Sequence, residues 1–258
     1  MKFIGIDIGS TCAKTVVMNE NKEIILEFVQ PTGWSSVDTA EEIRKKLVEN
    51  DADPAENVCV ATGYGRVSVP YADKMITEIT CHAMGAVWIF DNKDMTIIDI
   101  GGQDSKVIRL DENGAVANFV MNDKCAAGTG RFLEMMARTM EMDLDQMSEA
   151  GLTYKEDITI SSMCTVFAES EVVSLIAQNK ETDDIVHGLN KAVASKTAAL
   201  AKRVGGEERY MMTGGVSKNK GLVKTLEEKL GTTLVISDKA QLCGALGAAL
   251  FAMDMVQK

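Results

Sequence analysis

Short apolar runs closed by glycine or a polar turn alternate along the chain with longer stretches whose apolar residues recur at helical spacing. The short runs predict strands over 2–8, 14–18, 23–29, 57–61, 95–100, 105–110, 115–121, 208–212 and 233–236. The longer stretches predict amphipathic helices over 36–49, 81–91, 128–141, 165–178, 183–204, 219–230 and 241–256. Strands mixed with helices in this order argue for an α/β protein. No long linker, low-complexity segment or block of like charge interrupts the pattern. Methionine at 16 positions reads as core filling, and "MMARTMEM" (135–142) as a packed helix face.

The strand pattern repeats. Residues 4–18 are "IGIDIGSTCAKTVVM" and residues 97–110 are "IIDIGGQDSKVIRL". Each is an apolar strand ending in Asp-Ile-Gly, four loop residues, a lysine and a second apolar strand, with Asp7 to Lys14 spaced as Asp99 to Lys106. Glycine after the strand lets backbone N–H groups approach an anion with no Cβ in the way. Asp7 and Asp99 at strand ends suit the water shell of Mg²⁺, which takes few carboxylates and keeps its waters. Two such hairpins are expected to grip a polyphosphate. Lys106 is expected to be an outward-facing strand residue. A third glycine element, "ERYMMTGGVSKNKGL" (208–222), carries a strand into Thr213-Gly214-Gly215 and suits an adenine or ribose.

Charge and cysteine content narrow the chemistry. The net charge of −11 argues against a nucleic-acid partner. No apolar run is long enough to span a bilayer and "MKFIGIDIGS" lacks a signal-peptide core, so a cytoplasmic protein without membrane contact is expected. Of the six cysteines, none are spaced C-x-x-C. Cys59 lies in an apolar strand, Cys81 and Cys243 lie among small helix residues, and Cys12 lies in the first glycine loop. Cys125 and Cys164 differ, because each falls where a loop turns into a predicted helix. A helix N-terminus favours thiolate, the form that binds metal, although a free cysteine is as readily a small buried hydrophobe.

The order of hairpin, second hairpin and TGG resembles the actin/sugar kinase/heat-shock ATPase superfamily. That resemblance implies two ribonuclease-H-like domains with ATP in the cleft between them, here 1–94 and 95–258, with the last helix (241–256) able to pack back on the first. The motifs "ATGYGR" (61–66), "ADKMITEITCHAMGA" (72–86), "DIGGQDSK", "NDKCAAGTGRFLE", "SSMCTVFAESEV" and "CGALGAAL" then resemble the ATP-dependent activators of 2-hydroxyacyl-CoA dehydratases and the related benzoyl-CoA reductase ATPase subunits. The resemblance runs from end to end.

It implies an ATPase that drives one electron from a [4Fe–4S] cluster to an iron–sulfur dehydratase. Cys125 and Cys164 would supply two of the four thiolates such a cluster takes, and a two-fold partner copy the other two, so that one cluster is shared by a homodimer. Gly9, Ser10, Thr11, Cys12, Ala13 and Lys14 would line the phosphates, faced by Gly101, Gly102 and Gln103. Asp7 and Asp99 would hold Mg²⁺ through water, Gln103 or Asp104 would orient the hydrolytic water, and Gly214, Gly215 and Gln241 would line the adenosine. A ferredoxin or flavodoxin is the expected donor. A double-cubane iron–sulfur protein or benzoyl-CoA reductase is the alternative acceptor. His82 and Tyr64 match family motifs without an evident role and default to packing. A small-molecule kinase of the same fold would leave Cys125 and Cys164 unexplained, and a chaperone-like relative using ATP as a switch would be colourless.

Overall fold

The computed structural model describes residues 1–161, 164–205 and 209–256. The chain forms two compact units: one comprises Met1–Lys93, Leu110–Val116 and the residues from Ser237 onward, the other Asp94–Arg109 and Ala117–Ile236.

The first unit is a five-stranded sheet in the order β3-β2-β1-β4-β5, built from β1 (Phe3–Ile8), β2 (Cys12–Met18), β3 (Ile24–Pro31), β4 (Val58–Thr62) and β5 (Lys74–Met75). β1 runs antiparallel to β2 and parallel to β4. All six residues of β1 are buried, because helices cover both faces of the sheet. Ile4, Ile6 and Ile8 pack with Ile43 and Leu47 of α1 (Ser36–Glu49). On the other face lie α2 (Glu78–Phe90) and α8 (Cys243–Asp254), the latter packing Ala245, Leu246 and Ala249 against Val16 and Met18. The "CGALGAAL" sequence is explained by this approach. A Cβ at Gly5 would lie 2.0 Å from the Ala245 carbonyl, and one at Gly247 1.8 Å from the Cys81 carbonyl. Only glycine fits where backbones meet so closely.

The second unit repeats the topology as β10-β9-β6-β7-β8, from β6 (Thr96–Ile100), β7 (Ser105–Leu110), β8 (Val116–Asn122), β9 (Tyr210–Thr213) and β10 (Leu234–Ile236). Of the strand expected over 208–212, Glu208 lies outside the described residues. The helices are α3 (Gly130–Thr139), α4 (Leu144–Ala150), α5 (Thr165–Ala177), α6 (Thr182–Val204) and α7 (Lys220–Leu230). Phe132, Leu133, Met136 and Ala137 of α3 form an apolar stripe that packs with Ala168 and Val172 of α5 in one core. Met136 is buried in that core, and Met135, Met140 and Met142 pack against it. α4 was not expected from its apolar content, but Asp143 and Gln146 form a capping box at its start.

Candidate functional site

The two Asp-Ile-Gly hairpins have one geometry. Asp7 faces Lys14 across β1/β2 and Asp99 faces Lys106 across β6/β7. Gly9 donates its N–H to the Cys12 carbonyl at 3.1 Å, and Gly101 donates its own to the Asp104 carbonyl at 2.9 Å, so both loops close with the same turn. The cations lie on the strand-end carboxylates, Lys14 Nζ 3.3 Å from Asp7 and Lys106 Nζ 3.2 Å from Asp99. Lys106 also reaches Asp104 at 2.7 Å. Lys106 is therefore not an outward residue: it is 4% exposed. In a sheet covered on both faces, a lysine must meet buried carboxylates to be tolerated. Asp104 is buried in that ion pair, whereas Gln103 is exposed. Thr32, which the sequence did not single out, braces the first loop by donating its N–H to Thr11 at 2.9 Å and its hydroxyl to the Gly9 carbonyl at 2.8 Å.

A second matched pair lies beside the hairpins. Thr62 at the end of β4 is in register with Asp7, and Thr213 at the end of β9 with Asp99. The Thr213 hydroxyl donates to Asp99 at 2.9 Å. Each threonine precedes a glycine at φ 84°, Gly63 and Gly214, and each glycine opens a 3₁₀ turn, Tyr64–Ser68 and Gly215–Lys218. A Cβ at Gly63 would stand 2.4 Å from Asp7 Oδ1, and one at Gly214 2.3 Å from the Ile100 carbonyl. "ATGYG" is thus the first unit's counterpart of "TGGVS". Tyr64 is exposed, whereas His82 is buried with Nδ1 2.9 Å from the Glu78 carbonyl. Gln241 lies in the turn Ala240–Leu242 that precedes α8.

Cys164 is the N-cap residue of α5. Cys125 is further from its helix than expected, in the loop five residues ahead of α3, whose N-cap is Thr129. Gly128 takes φ 86°, which keeps the chain from entering the helix sooner. The start of α3 is instead bonded to the second hairpin loop. Gly130 donates its N–H to the Gly101 carbonyl at 2.9 Å and Arg131 donates to Gly102 at 2.7 Å. Two of the donors that a helix start leaves unsatisfied are thereby paired with that loop.

The cysteines sort by exposure. Cys125 and Cys164 are exposed, Cys12 is intermediate, and Cys59, Cys81 and Cys243 are buried. Burial pushes the thiols of Cys59 and Cys81 up to about 12, which keeps them protonated and unsuited to metal. Among the described residues no group of three or more His, Cys, Asp or Glu is arranged around a metal position. No described helix is long and apolar enough to cross a membrane.

Residues 4–252 match the BadF/BadG/BcrA/BcrD ATPase family. The (R)-2-hydroxyglutaryl-CoA dehydratase activating ATPase of Acidaminococcus fermentans is 45% identical over 258 residues, 99% of this chain and 98% of that protein. The crystal structure of the A. fermentans (R)-2-hydroxyglutaryl-CoA dehydratase component A has a TM-score of 0.93 at 44% identity, covering 100% of both chains. The structure of the activator of the 2-hydroxyisocaproyl-CoA dehydratase from Clostridium difficile, with bound ADPNP, has a TM-score of 0.92 at 41% identity, covering 100% of this chain and 96% of that one. The paired sheets are the fold of actin-like ATPases and sugar kinases.

Proposed function

The chain belongs to the BadF/BadG/BcrA/BcrD ATPase family, and from that premise we propose that it uses ATP hydrolysis to drive a one-electron transfer to an iron–sulfur 2-hydroxyacyl-CoA dehydratase. The observation that carries the proposal is the junction in the second unit. There the carbonyls of Gly101 and Gly102, in the hairpin loop, accept the first N–H groups of the helix that follows Cys125.

In this reading the hairpin loops do the phosphate work. Ser10 and Thr11 donate hydroxyls, Gly9, Cys12 and Ala13 offer backbone at close range, and Lys14 moves from Asp7 to phosphate. In the second loop Gly101 and Gly102 offer backbone N–H groups. Asp104 is committed to Lys106, so Gln103, exposed on the same loop, orients the hydrolytic water. Asp7 and Asp99 would hold Mg²⁺ through water, since that ion takes few carboxylates and keeps its own waters. Gly214 and Gly215 pass under the adenosine.

The donor set favours an iron–sulfur cluster over a His-based metal, since exposed sulfur is what the chain offers. Cys125 and Cys164 would hold it together with the same two residues of a second copy in a homodimer. A [4Fe–4S] cluster bound there would supply low-potential one-electron chemistry. Cys164 sits at the N-cap of α5, at the positive end of the helix dipole. Val166 and Phe167, 64% and 65% exposed on the first turn after Cys164, are large apolar side chains that a partner copy would cover. When phosphate shifts the Gly101–Gly102 backbone, the start of α3 must follow, because its first two N–H groups are bonded there, and the Cys125 segment follows in turn. The extent of that shift is bounded by the differential affinity of ATP for the two arrangements. A ferredoxin or flavodoxin would restore the electron.

The test is anaerobic. Reduced protein is mixed with a 2-hydroxyacyl-CoA dehydratase, with and without MgATP, and the dehydratase iron–sulfur signal is followed by electron paramagnetic resonance (EPR) alongside phosphate release. The expected result is reduction of the dehydratase only with ATP. Phosphate release with no change in the acceptor would overturn the proposal, and transfer of phosphate to a small molecule would favour a kinase.

A further inference from the structure

We propose that Asn122 is a positioning residue for Cys125, fixing the loop from which that thiol projects; this rests on the assignment of Cys125 as an iron ligand made above. Asn122 is the last residue of β8. Its Nδ2 donates one hydrogen to the Cys125 carbonyl at 2.9 Å and the other to the Ala127 carbonyl at 3.1 Å. The carbonyl between them, that of Ala126, accepts both the N–H of Thr129 at 3.0 Å and its hydroxyl at 2.6 Å. Three successive carbonyls are thus tied down while the Cys125 side chain stays exposed. Ala127 anchors the far end of the loop, fully buried in the core that holds Phe132.

The chemistry selects asparagine. One primary amide nitrogen carries two hydrogens and can hold two carbonyls at once. Aspartate has the same shape, donates nothing when ionised and would repel both. A loop fixed in this way sets the direction of a ligating sulfur before any metal arrives. Partners that orient a ligand without touching the metal are worth about 10- to 100-fold in metal affinity when removed. Sequence reading passed over Asn122 because an asparagine at a strand end is usually only a turn former.

Asn122→Asp is the direct test, with Asn118→Asp as its control. Asn118 lies on the same strand and donates to the Val204 carbonyl at 3.1 Å, a bond of similar kind remote from the cysteine loop. Both variants and the wild type are reconstituted anaerobically with iron and sulfide, then given a chelator. Asn122→Asp is expected to release iron about 10-fold faster or more and to shift the EPR spectrum of the reduced protein. Asn118→Asp is expected to match the wild type in both. Equal release rates and unchanged spectra in Asn122→Asp would overturn the proposal, as would the same loss in both variants, which would show a general loosening. Should the aspartate variant not fold, Asn122→Ala removes the same two donors and is read in the same way. Failure of the wild type itself to take up iron would overturn the ligand assignment, and with it this proposal.

Discussion

The ammonium of Lys106 lies 3.2 Å from the Asp99 carboxylate, directly across β6/β7, in a site from which water is nearly excluded. The same cation holds Asp104 at 2.7 Å. Replacing it by methionine leaves two buried carboxylates without their cation, which is expected to destabilise the second unit by about 3–5 kcal/mol. The equivalent Lys14→Met should cost less, because Lys14 holds one carboxylate where Lys106 holds two and its side chain is 18% exposed. Urea unfolding of both variants checks the order, and equal losses would count against it.

Gly214 and Gly63 predict a matched pair of backbone lesions. Alanine at either must adopt φ near 84° and intrude on the neighbouring strand end. Each should cost about 1–3 kcal/mol in stability, and Gly214→Ala should also weaken ADP binding in calorimetry.

The duplicated hairpins were legible in the sequence because Asp-x-Gly, loop length and lysine all recur at one spacing. The second duplication was less so. Thr62-Gly63 and Thr213-Gly214 share two residues at the end of an apolar strand, and their equivalence emerges only from the register with Asp7 and Asp99. The burial of Lys106 could not be read from "SKVIRL", since alternation says which residues share a face and not whether that face meets solvent. The distance of Cys125 from its helix turned on Gly128, whose positive φ has no signature beyond glycine itself. The cap of α4 was written in Asp143 and Gln146 and overlooked because the helix has only seven residues.

The junction of Gly101 and Gly102 with α3 predicts where nucleotide is felt. The Gly130 and Arg131 amides should change their hydrogen-exchange protection when a non-hydrolysable ATP analogue replaces ADP, while those of α7 should not. Unchanged exchange at Gly130 and Arg131 would remove the proposed link between hairpin and cysteine loop.

His187 predicts an acid-sensitive step. Burial holds its pKa below the ordinary histidine value, with Lys191 acting in the same direction and Asp157 and Glu228 opposing. Its ring stacks on Tyr154 with centroids 3.4 Å apart, and its Nε2 lies 3.5 Å from Asp157. The unfolded chain therefore binds a proton more readily than the folded one. The contribution is complete above the ordinary histidine value of 6.5 and is lost as pH falls below it toward the lower folded value. Thermal melts between neutral pH and mild acid should fall less steeply for His187→Gln than for the wild type.

If Cys125 and Cys164 hold an iron–sulfur cluster shared between two copies, the iron stoichiometry must show it. Protein reconstituted anaerobically and sized in solution is assayed for iron and acid-labile sulfide. The expected result is one [4Fe–4S] cluster to two chains, a dimer that survives dilution, and no retained iron in Cys125→Ala or Cys164→Ala. An iron-free dimer, a monomer carrying a complete cluster, or iron retained in both alanine variants would contradict it.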